Sequence, residues 1–228
     1  MWYFRALHRR MIHAASRLLP PGPARILDAG CGTGGLIKAA RAARPAWAMT
    51  GLDFSARACA LARERTGVDI VEGSITALPF ADGAFDAVLS ADVVCQVEDG
   101  ARALREFARV VRPGGGVVVN VPAFRWLWSY HDDTCETKHR YTRPELNGLF
   151  EAAELEVAHA SYANMLALPL IAMRRKLFRP ADPTSDVALY PPPVEAGFAG
   201  MAAVEFAWLR AGATLPLGSS VCVAGRRR

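Results

Sequence analysis

Residues 26–35 read Ile-Leu-Asp-Ala-Gly-Cys-Gly-Thr-Gly-Gly, and the rest of the chain is organised around them. Ile26 and Leu27 form an apolar run that ends in Asp28. Gly30, Gly32, Gly34 and Gly35 follow, with Thr33 among them, and a helical run extends from Leu36 to Arg44. The pattern predicts a buried strand that enters a glycine turn and opens a helix. Glycines at such a turn let a ligand approach the backbone where a Cβ would block it or forbid the dihedrals. The helix start leaves amide donors pointing at that ligand.

The spacing Gly30-Cys31-Gly32-Thr33-Gly34 is tighter than the G-x-G-x-x-G dinucleotide fingerprint, although Gly35 lets it be read either way. Asp28 is foreign to that fingerprint. A carboxylate there repels a pyrophosphate and attracts an ammonium group. The stretch resembles motif I of the class I S-adenosylmethionine (SAM) methyltransferases. In that family the acidic residue and the glycines receive the methionine end of SAM. The resemblance implies SAM as cofactor, with Asp28, Gly30, Cys31, Gly32 and Gly34 around its amino-acid end.

At 228 residues the chain is expected to form one domain, or one with a sizeable insertion. Hydrophobic residues make up 52%, enough for a packed core. The formal charge of +5 suits an acidic ligand or an anionic surface and is too small to argue for nucleic acid. Five cysteines without a C-x-x-C pair point to a reducing compartment and no disulfide framework. The basic, amphipathic N-terminus lacks the apolar region of a signal peptide, and no run of about 18 apolar residues predicts a spanning helix. A cytoplasmic protein is expected, with membrane association left open.

Residues 2–18 carry Phe4, Leu7, Met11, Ile12, Ala15 and Leu18 near a 3.6 period and predict a helix. Pro20-Pro21-Gly22-Pro23 ends it. It can cover the sheet edge or act as a lid through Trp2, Tyr3 and Phe4. Trp47–Asp53 predicts a second strand. Asp53, roughly 20 residues past the glycine turn, sits where an acid accepts the ribose hydroxyls, or it is the N-cap of the next helix. Phe54 is placed to line an adenine pocket. The family places adenine contacts at Ser74 and Ile75, with Ser74 standing where the usual acid would be. Leu78-Pro79-Phe80-Ala81-Asp82-Gly83-Ala84-Phe85-Asp86 matches the family's LPF-x-D-x-x-FD signature. A fourth strand over 87–91 brings Ser90 to the carboxyl edge, where open α/β sheets bind ligands. A helix over 100–111, a closing turn at 112–116 and a strand over 117–121 follow.

Residues 122–150 are similar to a bacterial subgroup with the pattern VPA-x-x-x-LWS-x-HD and then G-H-x-R-R-Y-T. Leu155–Tyr162 predicts the sixth strand and 219–224 the seventh. The expected fold is α/β: a doubly wound, Rossmann-like, seven-stranded, mostly parallel sheet with an antiparallel last strand and a helical insertion before it. The expected divisions are an N-terminal helix or lid (1–24), the SAM-binding core (25–162), a helical insertion or cap (163–214), and the last strand with a basic tail (215–228). The insertion carries an apolar segment, a basic turn, a proline-rich linker (180–193) and a helix over 194–211. Residues 165–179 could touch a membrane or cap the pocket.

Methyl transfer needs a base only when the nucleophile carries a proton. The subgroup's Glu-His pair after the fourth strand is Cys95-Gln96 here, and Thr137 and His139 alter the G-H-x-R-R-Y stretch. The remaining catalytic candidates are His131, as base or orienter, with Asp132, Gln96 and Tyr141. His131, Cys135 and His139 recur every four residues and would share one face of a helix, but no metal is expected. The expected reaction is methyl transfer to a small lipophilic or lipid-linked acceptor. Amino transfer from SAM to a quinone and a non-catalytic SAM-binding module are the alternatives.

Overall fold

The computed structural model describes residues 1–177 and 190–228. Most of the expected proline-rich linker and the end of the 165–179 segment lie outside the described residues. The elements run α1 (Trp2–Leu18), β1 (Ala24–Ala29), α2 (Gly35–Ala43), β2 (Trp47–Asp53), α3 (Ala56–Thr66), β3 (Ile70–Glu72), β4 (Phe85–Ala91) and α4 (Gly100–Val110). Then come β5 (Val111–Pro122), α5 (Tyr130–Thr134), α6 (Arg143–Ala152), β6 (Leu155–Ala163), α7 (Leu168–Leu177), α8 (Pro192–Arg210) and β7 (Ser220–Arg227).

The strands form one sheet in the order β3-β2-β1-β4-β5-β7-β6. The pairs through β3, β2, β1, β4 and β5 are parallel, and β7 is antiparallel to both its neighbours. Helices cover both faces, so the central strands are apolar on both sides. Ile26, Leu89 and Val118 face one layer with Leu7, Met11 and Ile37; Leu27, Val88, Val117 and Val119 face the other with Leu104, Phe107 and Phe150. This period-2 alternation puts one core on each side of the sheet.

Two local expectations are corrected. The 112–116 turn does not precede a short strand but lies inside β5. Phe85 pairs with Val111 and Ala87 with Gly116, so a bulge absorbs the extra residues. Gly114 takes φ +74° there, and a Cβ on Gly115 would fall 2.6 Å from the Asp86 carbonyl oxygen. The N-cap of α3 is Ser55, whose hydroxyl accepts from the Ala58 amide, rather than Asp53. The LPF signature proves architectural. Arg109 donates to the Leu78 and Phe80 carbonyls and to Asp82, and Asp86 accepts from the Arg112 guanidinium and the Arg25 amide.

The insertion packs back on the N-terminus. Trp2 stacks on Phe198 with ring centroids 4.9 Å apart, and the Trp2 amide donates to Glu195 at 2.8 Å. Arg9 lies over the Phe206 ring. Buried Glu205 accepts from the amides of Asn164 and Leu166, which fixes α8 to the end of β6. Among the described residues no helix is long and apolar enough to cross a membrane.

Candidate functional site

Three carboxylates stand at or just beyond the carboxyl ends of adjacent parallel strands: Asp28 on β1, Asp53 on β2 and Asp92 after β4. Gly30 takes φ +87°, Gly32 +51° and Gly34 +79°, the left-handed region that glycine enters without strain. Gly30 is also forced by packing, because a Cβ there would fall 2.3 Å from Val93 Cγ2. The Gly30 and Cys31 amides both donate to the Leu52 carbonyl, tying the turn to β2. No side chain caps α2, whose N-cap is Gly34. Close to this helix start, His8 is held neutral, its imidazole pushed down to about 4 by burial.

Asp28 is 1% exposed, and neither carboxylate oxygen has a hydrogen-bond partner among the described residues. Burial, and then the charge of Asp53, push its carboxyl up to about 7. An unpartnered buried carboxylate costs several kcal/mol. A ligand that brings an ammonium group or hydrogen-bond donors removes that cost, so Asp28 fits the amino-acid end of SAM. Burial likewise raises the Cys31 thiol well above its usual range, with Asp28 and Asp53 adding to the effect.

Asp53 is half-buried. Its Oδ2 accepts from the Gly32 amide at 2.8 Å and its Oδ1 from the Ser55 amide at 3.0 Å. It both shapes the turn and presents a carboxylate at the edge. Phe54 beside it is 77% exposed, a large apolar ring with little protein against it. Ser74 is exposed and its hydroxyl bonds that of Thr76, whereas Ile75 is buried in the core below. Ser90 is buried and donates to the Ala29 carbonyl, bracing β4 against β1.

Next to this edge lies a cavity of about 270 Å³ under α1, α7 and α8. Trp2, Phe4, Leu170, Ile171 and Phe198 give it apolar walls; Tyr3, Asp92, Gln96, His131, Arg140, Arg174 and Arg175 give it polar groups. The glycine turn, Asp28 and Asp53 lie outside it. Of the catalytic candidates, Gln96 and His131 therefore line the cavity, and Asp132 and Tyr141 do not.

Asp132 is fully buried. Both its oxygens accept from Arg140, at 2.7 and 3.0 Å, and the Ser129 amide adds a third bond. Arg140 also donates to the Ala123 carbonyl. This pair pins the loop after β5 and holds Arg140 at the cavity wall. Tyr141 is buried against His139, with burial pushing its phenol up to about 12. The expected shared face of His131, Cys135 and His139 does not form, because α5 ends at Thr134. His131 and Cys135 do approach, at 3.7 Å between Nδ1 and Sγ. Among the described residues no group of three or more His, Cys, Asp or Glu is arranged to hold a metal.

Sequence reasoning passed over Asp92, His8 and the cavity's arginines as site residues. Asp92 had a visible signal, a polar residue directly after a parallel strand, but its partner Tyr3 is 89 positions away.

Comparison with known proteins agrees with this geometry. The family described as "methyltransferase domain" matches residues 27–119. The malonyl-[acyl-carrier protein] O-methyltransferase of Enterobacter lignolyticus is 32% identical over 176 residues, covering 74% of this chain and 69% of that protein. The demethylmenaquinone methyltransferase of Thermus thermophilus is 40% identical over 111 residues; the match spans 46% of this chain and only 50% of that protein. The geranyl diphosphate C-methyltransferase of Streptomyces coelicolor, solved with Mg2+, geranyl diphosphate and S-adenosyl-L-homocysteine, shares the fold at a TM-score of 0.67 and 18% identity, over 98% of this chain and 79% of that one.

Proposed function

The chain belongs to the SAM-dependent methyltransferases, and on that premise we propose that it methylates a small, lipophilic acceptor held in the cavity under α1, α7 and α8. The observation that carries the acceptor reading is the cavity itself: about 270 Å³, walled by aromatic and aliphatic side chains, beside the strand ends that carry Asp28 and Asp53. In open α/β sheets that edge is the ligand crevice.

When bound, SAM supplies an electrophilic methyl group on a sulfonium. Asp28 would receive the amino group, and the turn at Gly30, Cys31, Gly32 and Gly34, whose glycines carry no Cβ, would let the amino-acid end lie close against the backbone. Asp53 accepts the ribose hydroxyls. Phe54, Ser74 and Ile75 border the adenine, and Ser90 keeps β1 and β4 in register beneath it. Trp2, Phe4 and Phe198 exclude water and position the acceptor, the main work such a displacement asks of the protein. His131 and Gln96 orient the acceptor from the opposite wall.

Met173 and Lys176 on α7 are both exposed. That pairing suits an anionic lipid surface from which a lipophilic acceptor could enter. Co-sedimentation with phosphatidylglycerol vesicles, lost in Met173→Glu/Lys176→Glu, tests this contact.

Calorimetry with SAM and S-adenosylhomocysteine tests the cofactor assignment, and accumulation of S-adenosylhomocysteine with a panel of quinols, phenols and fatty acyl thioesters tests the reaction. No heat with either nucleoside overturns the whole reading. Binding without turnover of any lipophilic acceptor overturns the acceptor class alone. The relatives described above are all named for methyl transfer, which does not favour amino transfer.

A further inference from the structure

Asp92 is built differently from every other acid at the sheet edge. It follows β4 with φ +58°, a left-handed conformation that costs a non-glycine residue on the order of 1 kcal/mol. The conformation is held from several sides. The Asp92 amide donates to the Asn120 carbonyl at 2.8 Å. Asn120, fully buried on β5, donates through Nδ2 to Asp92 Oδ1 at 2.8 Å, and accepts from the Arg10 guanidinium at 3.2 Å. The Tyr3 hydroxyl donates to Oδ2 at 2.7 Å. The chain reversal lays Val93 over Gly30 in the glycine turn, while the Asp92 side chain faces the cavity. The carboxylate thus sits at the junction between the turn that fits the methyl donor and the chamber that fits the acceptor.

We propose that Asp92 is the general base of the transfer, that Tyr3 and Asn120 hold its carboxylate in place, and that the acceptor is therefore a hydroxyl-bearing aromatic such as a phenol or hydroquinone. The proposal rests on the methyltransferase reading above. Each Asp92 oxygen accepts one protein hydrogen bond and keeps a lone pair for the acceptor. The acceptor's O–H bond breaks and its proton passes to an Asp92 oxygen. The freed pair on the acceptor oxygen forms the bond to the methyl carbon, and the pair of the broken S–C bond stays on sulfur, leaving a neutral thioether. Asp92 then gives its proton to solvent. Burial raises the Asp92 carboxyl above its usual range, opposed by the bonds from Tyr3 and Asn120 and by Arg10 and Arg140. His131, Arg174 and Arg175 face it across the cavity.

Asp92→Asn keeps the side-chain shape and removes the base. The probes are 1,4-naphthohydroquinone, phenol and 4-nitrophenol, with S-adenosylhomocysteine formation as the rate and calorimetric SAM affinity as the binding control. The expected result is a fall in kcat of about 10²-fold or more with naphthohydroquinone and phenol. The fall shrinks with 4-nitrophenol at pH 8, where that acceptor is already ionised, and SAM affinity stays within about threefold. Tyr3→Phe, which removes a donor to the charged carboxylate, moves the acid limb of the kcat profile to higher pH. A uniform loss across all three phenols, or an acid limb unmoved in Tyr3→Phe, leaves Asp92 a latch for α1 and overturns the proposal. So does a loss of SAM affinity in Asp92→Asn, which would make it a cofactor ligand. A wild-type protein that binds SAM but methylates none of the probes overturns the hydroxyl acceptor while the methyl-donor reading stands; failure to bind SAM removes both.

Discussion

The floor of the sheet and the loop after β5 each bury a carboxylate completely, and they treat it in opposite ways. Asp132 is enclosed by Arg140 and the Ser129 amide, so every part of its charge is answered within the protein. Asp28, equally buried, has no hydrogen-bond partner among the described residues and carries a raised carboxyl. A buried ion pair is weak evidence for anything beyond architecture, since desolvation offsets much of the attraction. A buried carboxylate with nothing against it is uphill in the free protein and persists because something else completes it. The contrast separates a residue that builds the site from one that waits for a ligand: Asp132 leaves the catalytic set that sequence alone gave it, and Asp28 keeps its place as a cofactor-binding candidate.

The largest effect expected from this contrast is on the paired side. Asp132→Asn removes the charge opposite the buried Arg140 guanidinium and one of its three acceptor oxygens, which costs about 3–5 kcal/mol. For a domain of this size that is a fall in Tm of roughly 6–20 °C by thermal unfolding. A change below about 1 kcal/mol would show that water or a neighbour takes over the guanidinium, and the distinction between the two acids would lose its basis.

The unpaired side should respond with the opposite sign. Asp28 has its carboxyl raised to about 7 in the folded protein, above the usual 3.8. The folded state therefore holds the proton that the unfolded state has released. Stability of the free protein falls as pH rises from about 4 to about 7 and is then flat. The penalty above pH 7 is on the order of 4 kcal/mol, the span from 3.8 to about 7 at about 1.4 kcal/mol per unit. Asp28→Asn removes this slope. Its free form should melt higher than wild type at pH 8 and alike at pH 4, while its SAM affinity falls by roughly tenfold or more with the loss of a charge-assisted bond. Destabilisation of the free variant at pH 8 would mean that Asp28 has a structural partner after all.

Asp53 lies between the two extremes, since it holds the Gly32 and Ser55 amides and still reaches the edge. Asp53→Asn should cost about 1–2 kcal/mol of stability through the turn and about tenfold in SAM affinity. If only one of the two quantities moves, Asp53 belongs wholly to one class.

What the sequence disclosed follows from the range of the interactions. Asp28, the glycine turn and Asp53 form a local pattern within 26 residues, and the mostly parallel, doubly wound sheet follows from alternating strands and helices, so both could be read directly. The bulge at 112–116 could not, because its geometry is set by Phe85 and Ala87 on another strand. The roles of Asp132 and Tyr141 were obscured for the same reason: a histidine-aspartate pair and a tyrosine read as chemistry until Arg140 and the core are seen around them. The Tyr3–Asp92 and Trp2–Phe198 contacts, which close the cavity, join residues 89 or more positions apart and leave no periodic trace.

Phe54 offers the smallest and cleanest separation of site from architecture. It is 77% exposed beside Asp53 and stacks on no other ring among the described residues. A structural role would show as lost stability, but an exposed side chain with so little packed against it should change the free protein by no more than about 0.5 kcal/mol when cut to alanine. A ligand role would show only when adenosine is present, as a loss of about 1 kcal/mol, or roughly fivefold, in SAM affinity from one aromatic contact. Calorimetry and thermal unfolding on Phe54→Ala therefore answer separately. Unchanged affinity would move the adenine pocket away from Phe54 and toward Ser74 and Ile75; reduced stability would make the ring part of the fold and not of the site.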